Sequence, residues 1–201
     1  NFEADDIIGT LATAAEKNNL NCLILSGDQD IMQLITSKTH VLYTKKGISQ
    51  LEEYDIEAVK KRFGVLPEFI PDLKGLTGDP SDNIPGVPGI GIKTASKLLQ
   101  QYESLDRLIE KKEELPPRWR NKLRQFEEQA LMSKELAAIE CCVPVEVDIE
   151  LCRWPGPNYP ELLKIFSRLE FKTLIKAVVK QIDETTGTND GNKNAITKTE
   201  T

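Results

Sequence analysis

Apolar residues in the first eighteen positions recur at helical spacing. Ala4, Ile8, Leu11, Ala12 and Ala15 share one face and Asn18-Asn19 supplies a stop, which predicts a helix over 4–18. A continuous apolar run follows, Cys22-Leu23-Ile24-Leu25-Ser26, and reads as a short buried strand ending at Gly27. The pattern then predicts a helical piece over 28–35 and a strand over 40–44, leading through Lys45-Lys46-Gly47 into an extended piece near Ile48. Helix, strand, helix and strand in that order predict an α/β sheet with parallel strands.

After Tyr54 the alternating signal fades and helices take over. They are expected over 55–63, closed by Gly64, and over 68–76 with a break at Pro71. A loop dense in Gly and Pro fills 78–91, and further helices are expected over 92–102, 104–112, 117–139, 160–169 and 171–180. From Gln181 to Thr201 the chain is mostly Thr, Asn, Gly, Lys and Glu with no aromatic, the composition of a disordered tail or linker. Three regions are predicted: an α/β part over 1–76, a helical part over 77–180, and the tail over 181–201.

Composition narrows the chemistry. With 201 residues, 39% of them hydrophobic, the chain can bury a core. No apolar run approaches the roughly 18 residues of a membrane span and no basic-then-apolar leader opens the chain, so a soluble, cytoplasmic protein with no membrane contact is expected. A helix-like pattern within three residues of Asn1 predicts a chain cut from a longer one. The net charge of -6 argues against a uniformly basic wrap around nucleic acid, but leaves room for a local basic face. Cys22, Cys141, Cys142 and Cys152 show neither C-x-x-C spacing nor scaffold density and read as reduced thiols. His40, the single histidine, has no acid or nucleophile patterned around it, which argues against a serine triad or a histidine-rich zinc site. Hydrolytic chemistry here would rest on carboxylates and hard cations.

Seven carboxylates fall in three clusters: Glu3, Asp5 and Asp6; Asp28 and Asp30; Asp79 and Asp82. Each cluster has a plain structural reading, since acids favour a helix's first turn, Asp28 suits an N-cap, and Asp79 and Asp82 are turn formers. Placement adds weight, because Asp28 and Asp30 follow the carboxyl end of a buried strand, where open α/β sheets put their sites. Acids gathered there repel one another unless cations neutralise them, and oxygen-only ligands select Mg2+ or Mn2+. At about 100° per residue, Glu3 and Asp6 lie about 60° apart on one margin of the helix's apolar face and Asp5 points to the other, which favours Glu3 and Asp6 as inner ligands. Two such ions about 4 Å apart would suit phosphodiester hydrolysis.

The loop ends in Gly86-Val87-Pro88-Gly89-Ile90-Gly91-Ile92-Lys93-Thr94-Ala95, directly before a helix. Gly86, Gly89 and Gly91 allow close backbone approach, unpaired N–H groups at the start of the helix at Lys93 and Thr94 bind phosphate, and Lys93 and Lys97 add point charges one turn apart. Residues 84–125 carry nine bases and five acids, whereas 1–35 carry one base and six acids. An acidic half beside a basic one suits metals in the first and a phosphate backbone along the second, and without base-reading side chains the binding would follow shape. Plain solvation of helix faces is the alternative, above all for bases from Arg107 onward.

Taken together, Phe2-Glu3-Ala4-Asp5-Asp6, Ser26-Gly27-Asp28-Gln29-Asp30 and the stretch from Gly78-Asp79-Pro80-Ser81-Asp82 to Gly91 resemble the 5′-nuclease domain of bacterial DNA polymerase I, within the flap-endonuclease superfamily. The resemblance runs from Asn1 to about Val179, and the third string is its most specific part. It implies a PIN-like nuclease core followed by a helix-three-turn-helix region, and removal of 5′ nucleotides or flaps from duplex DNA with Mg2+ or Mn2+. By the same resemblance Glu3, Asp5, Asp6 and Asp28 match a first metal site, Asp30, Asp79 and Asp82 a second, and 86–94 the element that binds the duplex backbone and a K+ ion. The family's opening strand with its own metal-binding Asp, a further Asp, and a basic helical arch would precede Asn1.

The expectation is therefore a 5′-3′ exonuclease or flap endonuclease, monomeric, acting on duplex DNA with a 5′ end, nick or flap, with Glu3, Asp6, Asp28 and Asp30 as its catalytic acids. A catalytically incomplete duplex-binding module, holding DNA without regard to sequence through 86–97, is the alternative. A PIN-like ribonuclease would leave the glycine loop unexplained.

Overall fold

The computed structural model describes residues 2–45, 50–146 and 148–187, and divides into two compact units, Asn1–Asp148 and Ile149–Thr201. In the first unit α1 (Ala4–Lys17) opens where the Asp6 carboxylate accepts the Glu3 amide at 2.9 Å, and closes where the Asn18 side-chain amide donates to the Ala14 carbonyl at 2.9 Å. Asn19 then turns the chain with a φ of 59°, a conformation that Asn tolerates better than most residues. Strand β1 (Cys22–Ser26) follows, and of the run read as buried only Ile24 is, while Leu23 and Leu25 alternate to an exposed face at 59% and 60% exposure.

The sheet is mixed, not all-parallel. β1 pairs parallel with β2 (Thr39–Thr44), Cys22 opposite Thr39 and Ser26 opposite Tyr43. β2 pairs antiparallel with β3 (Leu51–Tyr54), Val41 opposite Tyr54. Connection length explains the difference. Twelve residues separate β1 from β2, enough for a short crossover, while the six between β2 and β3 can only turn back. The crossover holds a 3-10 turn, Asp30–Leu34, where the sequence predicts a helix over 28–35. The extended piece expected near Ile48 lies outside the described residues.

Helices complete the unit: α2 (Ile56–Phe63), α3 (Ile70–Thr77), α4 (Ile92–Tyr102), α5 (Leu105–Glu110) and α6 (Pro117–Ala137), the last kinked at Phe126. Asp55 caps α2 by accepting the Ala58 amide at 2.8 Å, and Gly64 ends it with a φ of 74°. The break anticipated at Pro71 falls just before it, where a 3-10 turn at Pro67–Phe69 hands over to α3, because proline is tolerated in a helix's first turn. One hydrophobic core runs from Ala12, Ile24, Ile31 and Met32 through Leu73 and Leu76 to Leu105, Leu108, Leu123 and Ala130. The 76/77 boundary read from the sequence falls within that shared core, since α3 packs along α6.

In the second unit α7 (Tyr159–Arg168) and α8 (Lys172–Gly187) pack on each other, with Phe166 and Phe171 rings 6.2 Å apart. Helix α8 runs seven residues past Lys180, so the tail expected from Gln181 begins as helix, supported by a Lys180–Glu184 pair at 3.6 Å. The remainder of that tail, 188–201, lies outside the described residues. Among the described residues no helix is long and apolar enough to cross a membrane.

Glu16 joins α1 to the start of β2, because its carboxylate accepts hydrogen bonds from the Thr36 and Thr39 hydroxyls, and Thr39 is fully buried. Those two hydroxyls, Thr36 foremost, hold the Glu16 carboxyl below its usual range. Glu16→Ala strands a buried hydroxyl and is expected to lower stability by about 1–3 kcal/mol in urea denaturation at pH 7. Since the folded carboxyl is the stronger acid, its contribution is fully present above its unfolded value near about 4.3 and fades as pH falls through the folded one. The stability difference between wild type and Glu16→Ala should therefore shrink below pH ~4.

Candidate functional site

Two successive turns carry the acids that follow β1. The Ser26 hydroxyl accepts the Asp28 amide at 3.0 Å, and Asp28 Oδ1 accepts the Asp30 amide at 2.9 Å. Asp28 stays exposed while Asp30, opening the 3-10 turn, is half-buried. On the far side of the cleft, Asp79 and Ile84 exchange backbone hydrogen bonds of 2.9 and 2.8 Å, closing a tight loop whose tip is 80–83. Asp79 Oδ1 accepts the Ser81 amide at 2.9 Å, and Asn83 takes a φ of 58°. This geometry brings oxygens of Asp30, Asp79 and Asp82 within 4.8 Å of one another.

Lys74, on α3, reaches into that cluster. Its ammonium contacts Asp30 Oδ1 and lies 2.6 Å from Asp79 Oδ2, with only 13% of the side chain exposed. Burial works against the Asp79 charge, but the Lys74 hydrogen bond, the Ser81 hydroxyl and amide, and the Lys74 charge outweigh it and hold Asp79 at about 2. Asp30 shares the same ammonium yet moves upward, because burial, joined by the charges of Asp28 and Asp79, exceeds what Lys74 returns. The donor set suits a hard cation. It is all oxygen, it is too negative to stand alone, and a positive group already sits between two of its members.

The α1 acids divide differently from the helical-wheel geometry. Asp5 is half-buried, and burial and then the charges of Asp28, Asp30, Glu3 and Asp6 all raise its carboxyl. Asp6 has both oxygens engaged with backbone, Oδ2 with the Glu3 amide and Oδ1 with the Glu140 amide, each at 2.9 Å. It fastens the start of α1 to the segment after α6. Glu3 is exposed at the helix entrance.

Gly27, Asp28, Asp30, Lys74, Asp79 and Ile92 line one open cleft of about 430 Å3. Ile92 is the first residue of α4, so the glycine loop ends at the wall of the acidic cleft. Gly86 is buried with a φ of 58°. Its amide donates to Ser133 Oγ at 3.0 Å and its carbonyl accepts the Gln129 side chain, while the Val87 amide reaches the Leu76 carbonyl at 2.8 Å. Gly89 has a φ of 77°, and Lys122 donates to the neighbouring Pro88 carbonyl. Gly91 takes the N-cap position of α4 without a side chain to satisfy the first amides of the helix. Lys93 and Lys97 are exposed one turn apart, with Thr94 half-buried between them. From Arg107 onward several bases meet acids instead: Arg107 with Glu103, Lys112 with Glu127, Arg124 with Glu113.

Sequence reasoning missed Lys74, Ser81, Gln129 and Ser133. Lys74 left one signal, a charged residue within a run, Ile70 to Leu76, that is otherwise apolar except for Asp72. Ser133 and Gln129 left none, because their role depends on α6 passing behind the glycine loop.

Comparison with known proteins agrees with this layout. Residues 1–64 match the family model described as "5'-3' exonuclease, N-terminal resolvase-like domain", and residues 65–160 the one described as "5'-3' exonuclease, C-terminal SAM fold". DNA polymerase I of Bacillus subtilis is 49% identical over 176 residues, which is 87% of this chain and 20% of that protein. DNA polymerase I of Chloroflexus aurantiacus is 42% identical over 173 residues, 85% of this chain and 18% of that one. The chain thus spans about a fifth of the length of these relatives. Among solved structures, T5 5′-exonuclease with bound zinc superposes with a TM-score of 0.61 at 24% identity, over 69% of this chain and 51% of that one. The catalytic core of Rad2 in complex with DNA substrate gives 0.51 at 19% identity, over 83% and 57%. These likenesses show a shared PIN-like α/β fold with a helical SAM-like continuation. Two consecutive matches meeting between residues 64 and 65, on a chain whose acids gather beside a glycine loop, make this protein a member of the 5′-3′ exonuclease family.

Proposed function

We propose that the protein hydrolyses DNA phosphodiesters as a 5′-3′ exonuclease or flap endonuclease, as part of a DNA polymerase I, acting as a monomer on duplex DNA with a 5′ end, nick or flap. The observation that carries this reading is the meeting of Asp30, Asp79 and Asp82, the first two of which line a cleft whose wall continues into the start of α4. Asp30, Asp79 and Asp82 would hold one Mg2+ or Mn2+ and Glu3, Asp5 and Asp28 a second, with Asp6 positioning the helix from which Glu3 and Asp5 project. Such cations, when bound, polarise water and offset phosphate charge. The chain's own part is to fix carboxylates, through the Ser26, Asp28 and Asp79 turns, before substrate arrives, and to present Gly91, Lys93, Thr94 and Lys97 to the sugar-phosphate backbone. A K+ ion at 86–94 is carried over from the family resemblance alone, since there the Gly86 carbonyl accepts Gln129 and the Pro88 carbonyl accepts the Lys122 ammonium. Zinc in T5 exonuclease and DNA in the Rad2 core support the same reading.

The test is cleavage of a 5′-flap duplex in Mg2+ and in EDTA by the 201-residue chain and by a version extended upstream of Asn1, with DNA binding followed by fluorescence anisotropy and substitutions made in whichever form cuts. Asp79→Asn should lower cleavage by about 100-fold, while DNA binding changes by less than about threefold. Cleavage that ignores EDTA or this substitution would overturn the assignment. Salt-sensitive binding with no metal-dependent cutting by either form would instead favour a duplex-binding module, for which the exposed Lys93 and Lys97 beside the glycine loop are the supporting feature.

A further inference from the structure

The position of Lys74 is hard to explain as structure alone. It is the charged side chain that enters the acidic cluster from α3, whose neighbouring residues Leu73, Gly75 and Leu76 are buried, and only 13% of its own side chain is exposed. Its ammonium joins Asp30, after β1, to Asp79, at the start of the glycine loop. These are two carboxylates 49 positions apart that would otherwise repel across a partly dry cleft. Asp82 lies within the same 4.8 Å group. We propose that Lys74 is a tethered counter-ion that occupies the cation position between Asp30 and Asp79 and is displaced when a divalent cation loads there.

This inference rests on the reading of that cluster as a metal site and adds an exchange to it. An ammonium is a compact point charge on a flexible four-carbon stem, so it can leave two oxygens without moving the helix that carries it. Lys74 also lines the open cleft, next to Asp28 and Ile92. An ammonium released into that cleft faces the position where a phosphate would pass, so metal loading and phosphate binding would favour one another by the usual reciprocity between linked sites. Before loading, the same ammonium keeps the three acids together, ready for the cation.

Three readouts besides activity follow, all on the 201-residue chain: Mn2+ binding followed by electron paramagnetic resonance, thermal unfolding in EDTA, and the acetylation rate of Lys74 measured by mass spectrometry. Displacement predicts that Mn2+ raises the acetylation rate of Lys74 in wild type by about fivefold or more, because an amine freed from two carboxylates into the open cleft is accessible to reagent. Lys74→Gln should bind Mn2+ about tenfold more tightly than wild type and unfold at a lower temperature in EDTA, whereas Lys74→Arg, which keeps the charge, should bind no more tightly than wild type. The acetylation measurement needs no variant, so it decides the question even if Lys74→Gln does not fold. Should wild type bind Mn2+, Asp82→Asn bind it more weakly, and Lys74 acetylation stay unchanged or slow on loading, the exchange is wrong and the metal site stands. Should neither wild type nor any variant bind Mn2+, both are wrong.

Discussion

Gly86→Ala is expected to destabilise the first unit by about 3–6 kcal/mol, enough to exhaust much of the stability of a domain this size. A methyl group at position 86 would meet the Gly78 amide nitrogen at 2.0 Å, the Thr77 carbonyl carbon at 2.5 Å and the Gly78 Cα at 2.6 Å. All three are backbone atoms, so no rotamer change relieves the contact. Gly78 cannot retreat either, because it holds a φ of 68° and stands against the Ile84 and Pro85 carbonyls on its other side. The loop must therefore part from the end of α3. That separation breaks the Val87–Leu76 backbone bond and the Gly86–Ser133 bond among buried residues, each worth about 1 kcal/mol. The left-handed conformation adds about 1–2 kcal/mol for any residue with a Cβ. Urea denaturation followed by circular dichroism gives the measurement, with Gly91→Ala as the comparison. Gly91 has an ordinary φ of -95° and open space where its Cβ would be, so its variant should lose no more than the modest N-cap preference for glycine over alanine, about 1 kcal/mol. Equal stability of the two variants would show that the loop is not seated on α3 as described.

That contrast between two glycines five residues apart shows how far the sequence could be read. Gly86, Gly89 and Gly91 are alike as letters in a loop, and their position before an apolar helix gives all three the same expected phosphate-facing role, whereas Gly86 is buried with its amide on Ser133 and its carbonyl on Gln129. Only the seating of the loop against Thr77 and Gly78 at the end of α3, with a left-handed φ at position 86, separates the one that must be glycine from the one that need not be. Local signals carried their elements well: the apolar run at β1, the Asp55 and Gly64 caps of α2, and the helix after Gly91 all lie where the pattern puts them. Signals that depend on a partner did not. Strand direction between β2 and β3 follows from connection length and not from composition. A helical wheel treats α1 as an isolated cylinder, so it could not show that a backbone amide beyond α6, at Glu140, engages the Asp6 carboxylate. Lys74 was passed over because a lysine on a short helix is ordinarily solvated, and nothing local says that two distant acids converge on it.

Asp72→Ala should lower stability by about 3–5 kcal/mol, through a buried charge network that is far from the acidic cleft in chemistry though it shares helix α3 with it. Asp72 is 4% exposed, and one oxygen accepts the Leu105 amide at 2.8 Å while the Lys134 ammonium lies 2.9 Å away. Lys134 also meets Asp106. Burial opposes the Lys134 charge, but hydrogen bonds to Asp106 and Asp72 outweigh it and raise the ammonium above its usual range. The alanine variant leaves the first amide of α5 without its acceptor and a partly buried ammonium with one partner in place of two. Removing one member of such a pair is costlier than removing both, because the survivor keeps its desolvation penalty. The double variant Asp72→Ala/Lys134→Met should accordingly be more stable than the sum of its single changes implies, with a coupling of about 1–3 kcal/mol in a denaturant cycle. The raised ammonium also fixes the sign on the alkaline side. Its contribution is complete below the unfolded value near about 10.4 and is lost as pH rises through the higher folded one, so the wild-type advantage over Lys134→Met should narrow only above pH ~10. An advantage that narrowed near neutrality, or an additive cycle, would show that Asp72 holds the Leu105 amide alone and that Lys134 belongs to Asp106.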